Sequence, residues 1–502
     1  MNQKETLELW AKGTDAWNDW ANEMLAKRNV LEEKGKWWIE NNNEPVNDET
    51  KQWLKEASAI FSSKDSPSSF PTYTSFSDWI FPSDSHWTGA TFEGGCNFEN
   101  TTFLGDAVFF CSTFCDDTIF RNATFSADVY FISVTFWGDT WFLNANFPGT
   151  VQFDKTAFLG GSSAVAWFDG ATFLGSASFN EVIFEVEAWF KDVTFTQGLT
   201  FQSVTFAETA VFRGSTFSVN ADFREAVFSG GTDFSEATFS GNTDFSEVTF
   251  EDLAWFNSVC FEKPSRFSDA RFNTNASFNS AQIKQAFDLS GARFKEVPDF
   301  RQTHCEEAPL LDDVHIDSTI IKQRKSSHDP DFTVTANYRA LKRLAIQGHD
   351  HKHEVEFFAE ELRSKRLMVD KRWHWDWILS GVFQITSDYG RSILRPLLFW
   401  LLIVGLSATS YLLTATQPTG NVALQCVKGE GWQWVSAIQL AIGKGLLFPG
   451  IVDRTLMMQA YDCLYGDTIP TLTSAALGLQ TLLSSALLFL ILLGIRNRFK
   501  LK

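Results

Sequence analysis

The sequence is short of the residues on which many functional classes depend. Its 502 residues include seven cysteines, five methionines, seven tyrosines and eight histidines. Seven cysteines in a chain of this length do not make a disulfide framework. Lysine and arginine number 42 against 61 aspartates and glutamates, which gives a formal net charge of −19. This acidic balance argues against nucleic acid as a direct partner, because binding to phosphates needs lysine and arginine.

Motifs of catalysis and cofactor binding are also missing. The chain holds no Gly-x-x-x-x-Gly-Lys-Ser/Thr, Gly-x-Ser-x-Gly or His-Glu-x-x-His stretch. The N-terminal residues lack an apolar run behind their charges, so we expect no signal peptide. We therefore predict a protein that is not an enzyme and that holds no cofactor.

Phenylalanine, in contrast, is in large excess, with 50 copies. In "GGTDFSEATFSGNTDFSEVTF", Phe234, Phe239, Phe245 and Phe250 follow one another at steps of five, six and five residues. The same alternation runs from Phe70 to Ile316, with a one-residue slip at "GGSSAVAWF", and the residue two before each member is usually small. An excess of one residue at a fixed period indicates a repeat architecture.

Steps of five and six residues exclude an α-helix, because they place successive phenylalanines on different faces of a 3.6-residue spiral. A sandwich of short strands would need longer strands and less regular turns. A solenoid fits better, with phenylalanines and small residues pointing inward and stacking on their copies one coil away. Backbones of adjacent coils would then pair at about 4.8 Å.

The stretches "TDFSEATF" and "ADFREAVF" resemble the pentapeptide-repeat family, whose unit has a central Phe or Leu with a small residue two positions before it. The resemblance implies a mainly β fold, a right-handed quadrilateral β-helix. The sixth residue in every second unit departs from the family pattern and predicts about 22 residues per coil instead of about 20. Over the length of the repeat this gives about eleven coils.

The predicted outer wall of this solenoid is acidic. Residues 70–316 contain 33 acidic and 12 basic residues, which accounts for essentially all the negative excess of the chain. In one interpretation these charges keep a phenylalanine-filled rod soluble and prevent edge-to-edge association. In the other, the rod imitates a nucleic acid duplex, as gyrase-protecting members of the family are thought to do. We favour the first and expect an unknown protein partner on the acidic wall.

Composition divides the chain into four segments. Residues 1–65 lack the repeat and are predicted to form a helical cap, and residues 66–318 form the solenoid. Residues 319–392 turn basic and helical, which predicts a helical-hairpin connector, and residues 393–502 form a membrane domain.

Tryptophans at helical spacing, including Trp10 and Trp17, mark the N-terminal segment. Because the end of a solenoid exposes unpaired strands and a cut core, a capping helix is the plain interpretation. A peripheral membrane helix is the alternative. The polar face of the predicted helix carries as many acidic as basic residues, which weakens the membrane alternative.

The connector contains one stretch with metal-like spacing. In "GHDHKHE", His349, His351 and His353 stand beside Asp350. The stretch lies in the predicted turn between two helices, and the sequence offers no second cluster to complete a site. A group of solvated polar side chains is the simpler explanation of this spacing, so we predict no metal site.

Two uncharged apolar stretches, 396–415 and 471–495, are long enough to cross a bilayer. Arginines precede the first stretch, and arginines and lysines follow the second. By the positive-inside rule both flanks are cytoplasmic, so the solenoid and both termini should be cytoplasmic too. The loop between the spans would then face an oxidising compartment, where Cys426 and Cys463 could form a disulfide.

The region between the spans leaves two functions open. Residues 432–451 are apolar but interrupted by Lys444, which predicts a re-entrant or interfacial helix and disfavours a third span. Gln480, inside the second span, favours helix association, either within one chain or in a homo-oligomer. Span, half-helix and span is also the outline of a two-span channel. The stretch "YGDTIP" resembles the Gly-Tyr-Gly-Asp-x-x-Pro stretch of potassium channels, but the residues before it, "QAYDCL", lack the Thr-Val-Gly carbonyl ladder, so we predict no potassium-selective filter.

The whole layout resembles a group of bacterial membrane-anchored pentapeptide-repeat proteins. The resemblance rests on the N-terminal tryptophan helix, the phenylalanine-rich rod, "YRALKRLA", "SDYGRSILRPLLFW" and the terminal "RNRFKLK". It implies a location in the bacterial inner membrane and transfers no active site. We predict a scaffold that presents an acidic cytoplasmic rod to a protein partner. The alternative is an oligomeric pore in the lipid bilayer that the rod regulates.

Overall fold

The computed structural model describes most of the chain, namely residues 1–37, 47–161, 163–317, 332–367, 375–416, 432–446, 454–466 and 471–499. The chain divides into two compact units, Met1–Ser327 and His328–Lys502.

The first unit is a four-sided solenoid of parallel strands, most of them two residues long. Side 1 has 11 strands: Ala59–Ser62, Ser85–Trp87, Ala107–Val108, Val129–Tyr130, Val151–Gln152, Ala177–Ser178, Leu199–Thr200, Ala221–Asp222, Thr243–Asp244, Ser265–Arg266 and Phe287–Asp288. Side 2 has 12 strands: Ser69–Phe70, Thr91–Phe92, Thr113–Phe114, Thr135–Phe136, Ala157–Phe158, Ile183–Phe184, Thr205–Phe206, Val227–Phe228, Thr249–Phe250, Arg271–Phe272, Arg293–Phe294 and His315–Ile316.

The other two sides complete each coil. Side 3 has 10 strands: Thr74–Ser75, Cys96–Asn97, Thr118–Ile119, Thr140–Trp141, Val165–Trp167, Glu187–Trp189, Ala210–Val211, Thr232–Asp233, Ala254–Trp255 and Ala276–Ser277. Side 4 has 11 strands: Ile80–Phe81, Thr102–Phe103, Thr124–Phe125, Asn146–Phe147, Thr172–Phe173, Thr194–Phe195, Thr216–Phe217, Thr238–Phe239, Cys260–Phe261, Gln282–Ile283 and His304–Cys305.

The strand register confirms the coil length predicted from the alternating repeat. Phe114 pairs with Phe136, 22 residues on, and most other pairs keep this offset. The exception lies at "GGSSAVAWF", where Thr140 pairs with Ala166, so that the two partners are 26 residues apart. The one-residue slip expected there is wrong. The corner between sides 2 and 3 takes up four extra residues, and Phe168 occupies the next inward position without a missing member.

The core of the solenoid consists of stacked phenylalanine rings. Phe234, Phe239, Phe245 and Phe250 are all fully buried. Each ring lies face to face with its copies in neighbouring coils, as in Phe217–Phe239, where the centroids are 4.4 Å apart at 4°. Within one coil the rings meet edge to face, as in Phe234–Phe245 at 5.4 Å and 79°. Both arrangements suit the aromatic quadrupole.

The five-residue and six-residue steps correspond to two kinds of corner. At a five-residue corner the Ala237 N–H donates to the Phe234 carbonyl over 3.1 Å, and Glu236 between them has φ 62°. This is the backbone of a tight turn with one left-handed residue. At a six-residue corner, Gly241 has an ordinary φ, but a Cβ there would lie 2.1 Å from a backbone atom of Val219 in the previous coil. Glycine therefore allows the close approach of two coils.

Three helices cover the N-terminal end of the solenoid: α1 (Gln3–Trp10), α2 (Thr14–Glu33) and α3 (Asp48–Ala57). Trp17 is fully buried, stacks on Trp79 at 4.7 Å and donates its indole N–H to the Ile80 carbonyl at 2.9 Å. These contacts confirm the predicted cap. The solenoid also begins earlier than its phenylalanine pattern indicated, because the ring of Phe61 stacks on Trp87 at 3.9 Å.

The second unit is helical. Its members are α4 (Phe332–Gln347), α5 (His351–Leu367), α6 (Trp375–Ser387), α7 (Leu394–Leu413), α8 (Trp432–Gly445), α9 (Arg454–Tyr465) and α10 (Thr471–Phe499). Helices α4 and α5 pack as a hairpin, as the connector sequence predicted. Helices α7 to α10 share a small apolar core that includes Val404, Tyr411 and Leu440.

One corner column of the solenoid is made of stacked carboxylates. The Asp106 N–H donates to Asp84 Oδ1 at 3.0 Å, and the Asp128 N–H donates to Asp106 Oδ1 at 3.2 Å. Burial, together with the neighbouring charges of Asp84 and Asp128, raises the pKa of Asp106 to about 6. Farther along the same column, Asn220 accepts the Asn242 N–H in the same way, without a charge.

We expect Phe245→Ala to destabilise the solenoid by about 3–5 kcal/mol, since it removes a fully buried ring and leaves a cavity in the stack. Denaturant unfolding of the full chain, followed by circular dichroism in the β-sheet region, measures this loss. The control, Leu174→Ala, truncates a side chain that is 42 % exposed and should change stability by about 0.5 kcal/mol or less. Equal effects of the two substitutions would contradict the stacked core.

We expect Asp106→Asn to stabilise the solenoid at pH 7.5, by about 1 kcal/mol after allowance for partial exposure. Because the folded pKa lies above the ordinary value, the folded wild-type chain binds the extra proton as pH falls from 6 towards 4. The advantage of the variant should therefore shrink over that range. Thermal unfolding between pH 4 and 8 tests this. A constant difference between Asp106→Asn and wild type over this pH range would contradict the raised pKa of Asp106.

Candidate docking face and apolar helices

Side 3 of the solenoid carries an apolar column on its outer surface. Its members, here called the tryptophan stripe, are Ile119, Trp141, Trp167, Trp189, Val211 and Trp255. Each lies on a strand of the same sheet and pairs in register with the next, except that Asp233 stands between the last two. All of them are half-buried. The stripe spans seven successive coils.

Strand alternation places the stripe outside. In Glu187–Trp189 the middle residue, Ala188, is fully buried, so its neighbours Glu187 and Trp189 point to the opposite face. The next residue, Phe190, turns back into the core. Each tryptophan of the stripe therefore directly precedes an inward phenylalanine. The inward residues alone do not predict this outer column, although most of its neighbouring members stand 22 residues apart in the sequence.

The same outer position on the other sides is mostly polar, although side 1 also carries Val108 and Tyr130 there. On sides 2 and 4 it is mostly threonine, as at Thr113 and Thr216. On side 1 it runs through Gln152, Thr200 and Asp222. Nothing in the coil geometry therefore requires large aromatic residues at this position, and side 3 differs from its neighbours in chemistry while sharing their backbone.

The indole rings lie against one another and against the wall. Trp167 and Trp189 have ring centroids 5.2 Å apart at 32°. The Trp189 indole N–H donates to Glu187 Oε2 at 3.0 Å. A Cβ added to Gly231 would lie 3.6 Å from the ring of Trp255, so that ring covers the glycine of the previous coil. These contacts hold the rings in place while one face of the stripe stays accessible.

Charged residues border the stripe. Asp117 and Asp139 lie on one edge, where their carboxylates accept backbone N–H groups of the next coil at 3.0 and 2.7 Å. Partial burial raises the pKa of Asp117. On the other edge, Asp169 accepts the Lys191 N–H at 2.9 Å, and burial raises its pKa as well. Arg213 on this edge pairs with Glu236 at 2.6 Å.

The structure separates the residues singled out in the sequence. Phe234, Phe239, Phe245 and Phe250 lie in the solenoid core and touch no solvent. Gln480 lies in the second unit, 3 % exposed. Its carboxamide accepts from the Tyr411 hydroxyl and donates to the Ala441 carbonyl at 2.8 Å. These contacts join α7, α8 and α10 within one chain.

Lys444 lies near the end of α8, half-buried, with its ammonium 5.7 Å from the ring centroid of Tyr461 on α9. Cys463 lies on α9, whereas Cys426 is outside the described residues, so the disulfide between them stays a prediction. The predicted re-entrant segment is helical over Trp432–Gly445, and its last residues are outside the described part. Most of "YGDTIP" is also outside it.

The histidine-rich turn of the connector pairs its rings with acids. His353 Nδ1 lies 2.5 Å from Asp350 Oδ2, and His351 Nδ1 lies 2.9 Å from Glu354 Oε2. Across the residues that the structure describes, no group of three or more histidines, cysteines or carboxylates is arranged to hold a metal ion. In the connector these side chains cap and pair along the start of α5.

Two helices of the second unit are long and apolar enough to cross a bilayer. They are Leu394–Leu413 and Thr473–Phe499, with mean hydropathies of 1.9 and 2.2 over their most apolar stretches. Both helices have exposed large apolar side chains, such as Leu402 at 55 %, Leu482 at 70 % and Phe489 at 64 % exposure. Only 22 % of each apolar stretch is buried within the chain.

Comparison with known protein families finds a match described as Pentapeptide repeats (9 copies). It covers residues 88–135 and, in overlapping registers, residues 163–270. No curated protein and no solved structure matches the chain. The matched residues lie within the four-sided solenoid, whose inward phenylalanines and small residues carry the family pattern. The matched stretches of the solenoid are thus similar to pentapeptide repeats.

Proposed function

We propose that this chain is a non-enzymatic, membrane-anchored scaffold whose solenoid docks a protein partner through the tryptophan stripe. The observation that carries the proposal is the stripe itself. Four tryptophans share one outer column, while the same column on the other three sides is mostly polar. Tryptophan is enriched at protein interfaces, where it often dominates the binding energy.

The stripe has the form of a flat recognition surface. Its members are spaced one coil apart along a rigid parallel sheet. The surface is therefore preformed, and few side chains have to become ordered when a partner binds. Half-buried indoles keep an accessible side and a fixed orientation, as the Trp189–Glu187 hydrogen bond illustrates. An apolar centre with a charged border is the usual anatomy of a non-obligate interface.

Charge indicates the chemistry of the partner. Residues 70–316 carry 33 acidic against 12 basic side chains, so a basic protein surface is steered towards the rod. Nucleic acid is repelled by the same field. We expect the partner to contribute lysines or arginines at the border and an apolar or cationic group over the indole faces, where the aromatic quadrupole attracts cations.

The exposed apolar helices support the anchor. A helix in a soluble core buries most of its apolar surface, whereas α7 and α10 leave most of theirs open. Arg391 stands just before α7, Arg395 stands in its first turn, and Arg496 and Arg498 stand at the end of α10. By the positive-inside rule these ends, and the solenoid with them, are cytoplasmic. The family resemblance supports a bacterial inner membrane.

The alternative is an oligomeric pore, and the surroundings of Gln480 favour the anchor over it. A pore-lining or intersubunit amide needs groups that are free to meet water or another chain. Both ends of the Gln480 carboxamide are occupied within one bundle, by Tyr411 and Ala441. A flux assay in liposomes separates the two functions, since an anchor conducts nothing.

Replacement of two adjacent members of the stripe should weaken partner binding. We expect Trp167→Ser with Trp189→Ser to reduce capture of the partner from host membranes about tenfold or more, because two interface anchors are lost. Quantitative mass spectrometry of material co-purified with detergent-extracted chain measures the loss. The control is Trp137→Ser, since Trp137 is 52 % exposed on a corner outside the stripe. Equal losses from both variants, or none from the double variant, would contradict docking on side 3.

Thiol labelling tests the orientation. Cys111 and Cys115 are exposed free thiols on the solenoid, so a membrane-impermeant maleimide should reach them only after cells are permeabilised. After reduction, the same reagent should label Cys426 or Cys463 in intact cells. A variant with Cys111→Ser and Cys115→Ser shows which signal belongs to the solenoid. Labelling of Cys111 in intact cells would reverse the proposed topology.

A further inference from the structure

A basic cleft lies where α7 begins and α10 ends. Its volume is about 580 Å³, and its lining includes Asp388, Arg391, Ser392, Arg395, Leu397 and Arg498. The arginines come from the turn before α7, from the first turn of α7 and from the last turn of α10. The cleft therefore joins the ends of the two apolar helices that carry the positive flanks.

The arginines around the cleft outnumber the acids. Arg363 contacts both Glu360, at 2.5 Å, and Asp388. Arg391 lies 3.6 Å from the same Glu360. The two carboxylates are thus shared, and Arg363 already makes the shorter contact with each of them. A surplus of positive charge is left for the cleft.

The two arginines at the mouth of the cleft have the weakest ionic partners. Arg395 is 3.9 Å from Asp388, and its side chain is 51 % exposed. Within the part of the chain that the structure describes, Arg498 has no carboxylate within 4.0 Å and is exposed. Arg395 Nη1 also donates to the Gln384 carbonyl at 3.5 Å, and the remaining N–H groups of the two guanidiniums can take an anion. A guanidinium offers two parallel N–H donors, which match the oxygens of a phosphate group.

The backbone holds these arginines at fixed positions. Asp388, Tyr389 and Gly390 have φ of 52°, 58° and 84°, so three successive residues are left-handed in the turn before α7. Asn497 on α10 donates its side-chain N–H to the Gly390 carbonyl at 3.2 Å. A Cβ on Gly494 would lie 3.0 Å from Ile393, so glycine allows α10 to pack close against the turn.

We propose that this cleft binds the phosphate of an anionic glycerophospholipid. The inference rests on the proposed membrane anchor, because it places the cleft at the cytoplasmic boundary of the two spans. Arginines there meet the headgroup, while Leu397 and the open apolar faces of α7 and α10 meet the acyl chains. Basic pockets between the cytoplasmic ends of membrane helices suit anionic headgroups. A soluble phosphate shares the headgroup chemistry but has no chains to fill the apolar side.

Native mass spectrometry of the full chain in detergent tests the site, with phosphatidylglycerol, phosphatidylcholine and free glycerol phosphate as separate probes. We expect phosphatidylglycerol to stay bound in preference to phosphatidylcholine. Arg395→Ala and Arg498→Ala should each weaken retention of phosphatidylglycerol about tenfold. Arg395→Lys should restore little of it, since lysine keeps the charge and loses the paired donors. The matched control, Arg496→Ala, removes the same charge from the same helix end, outside the cleft, and should change retention little.

Three results would overturn the lipid site: no preference for phosphatidylglycerol, an equal loss from Arg496→Ala, or glycerol phosphate competing as tightly as the lipid. Arg498 is exposed at the end of a helix, so its variant should keep the wild-type circular dichroism and show that lost retention is not lost folding. Flotation with liposomes assesses the anchor independently. A chain that floats without lipid preference contradicts only the cleft, and a chain that does not float contradicts the anchor itself.

Discussion

The face-to-face stacking of phenylalanines between coils is the interaction on which the solenoid depends. Rings such as Phe212 and Phe234, 4.6 Å apart at 5°, repeat at about the spacing of paired β-strands. The strands themselves are mostly two residues long and hold little apolar surface of their own. A ring that matches the strand spacing lets each coil bury its hydrophobic face on the next, and the capping helices with Trp17 close the first coil.

The same register that stacks the core also aligns the outer wall. Since every coil repeats the backbone of the last, an outer side chain becomes a column whenever its position recurs. The outward side chains can therefore vary in chemistry without altering the fold. Threonines, carboxylates and tryptophans occupy different columns, and the tryptophan stripe is the column whose chemistry packing does not require.

The sequence was sufficient to predict the architecture of the solenoid, because its inward residues repeat at one period. The coil length followed from that period, the four sides from the resemblance to pentapeptide-repeat proteins, and the helical cap from tryptophans at helical spacing. The four-residue insertion before Phe168 is visible in the sequence, because Phe158 and Phe168 stand ten residues apart instead of six, and the strand pairing shows that the coil continues across it. Phe61 was missed because it precedes the regular pattern. The inward repeat does not predict the tryptophan stripe, because the stripe lies on the opposite face of the strands, although Trp167 and Trp189 stand 22 residues apart beside inward phenylalanines. The arginine cleft depends on a left-handed turn, which no residue type in "SDYGR" dictates.

The most direct test of the scaffold is photo-crosslinking in the native host. A photo-reactive amino acid placed at position 167 or 189 lies on the tryptophan stripe, and one placed at position 152 or 178 lies on the outer column of side 1. We expect a crosslinked protein partner from positions 167 and 189 and none from positions 152 and 178. The same adduct from both sides, or adducts from side 1 alone, would contradict the claim that the tryptophan stripe is the docking face.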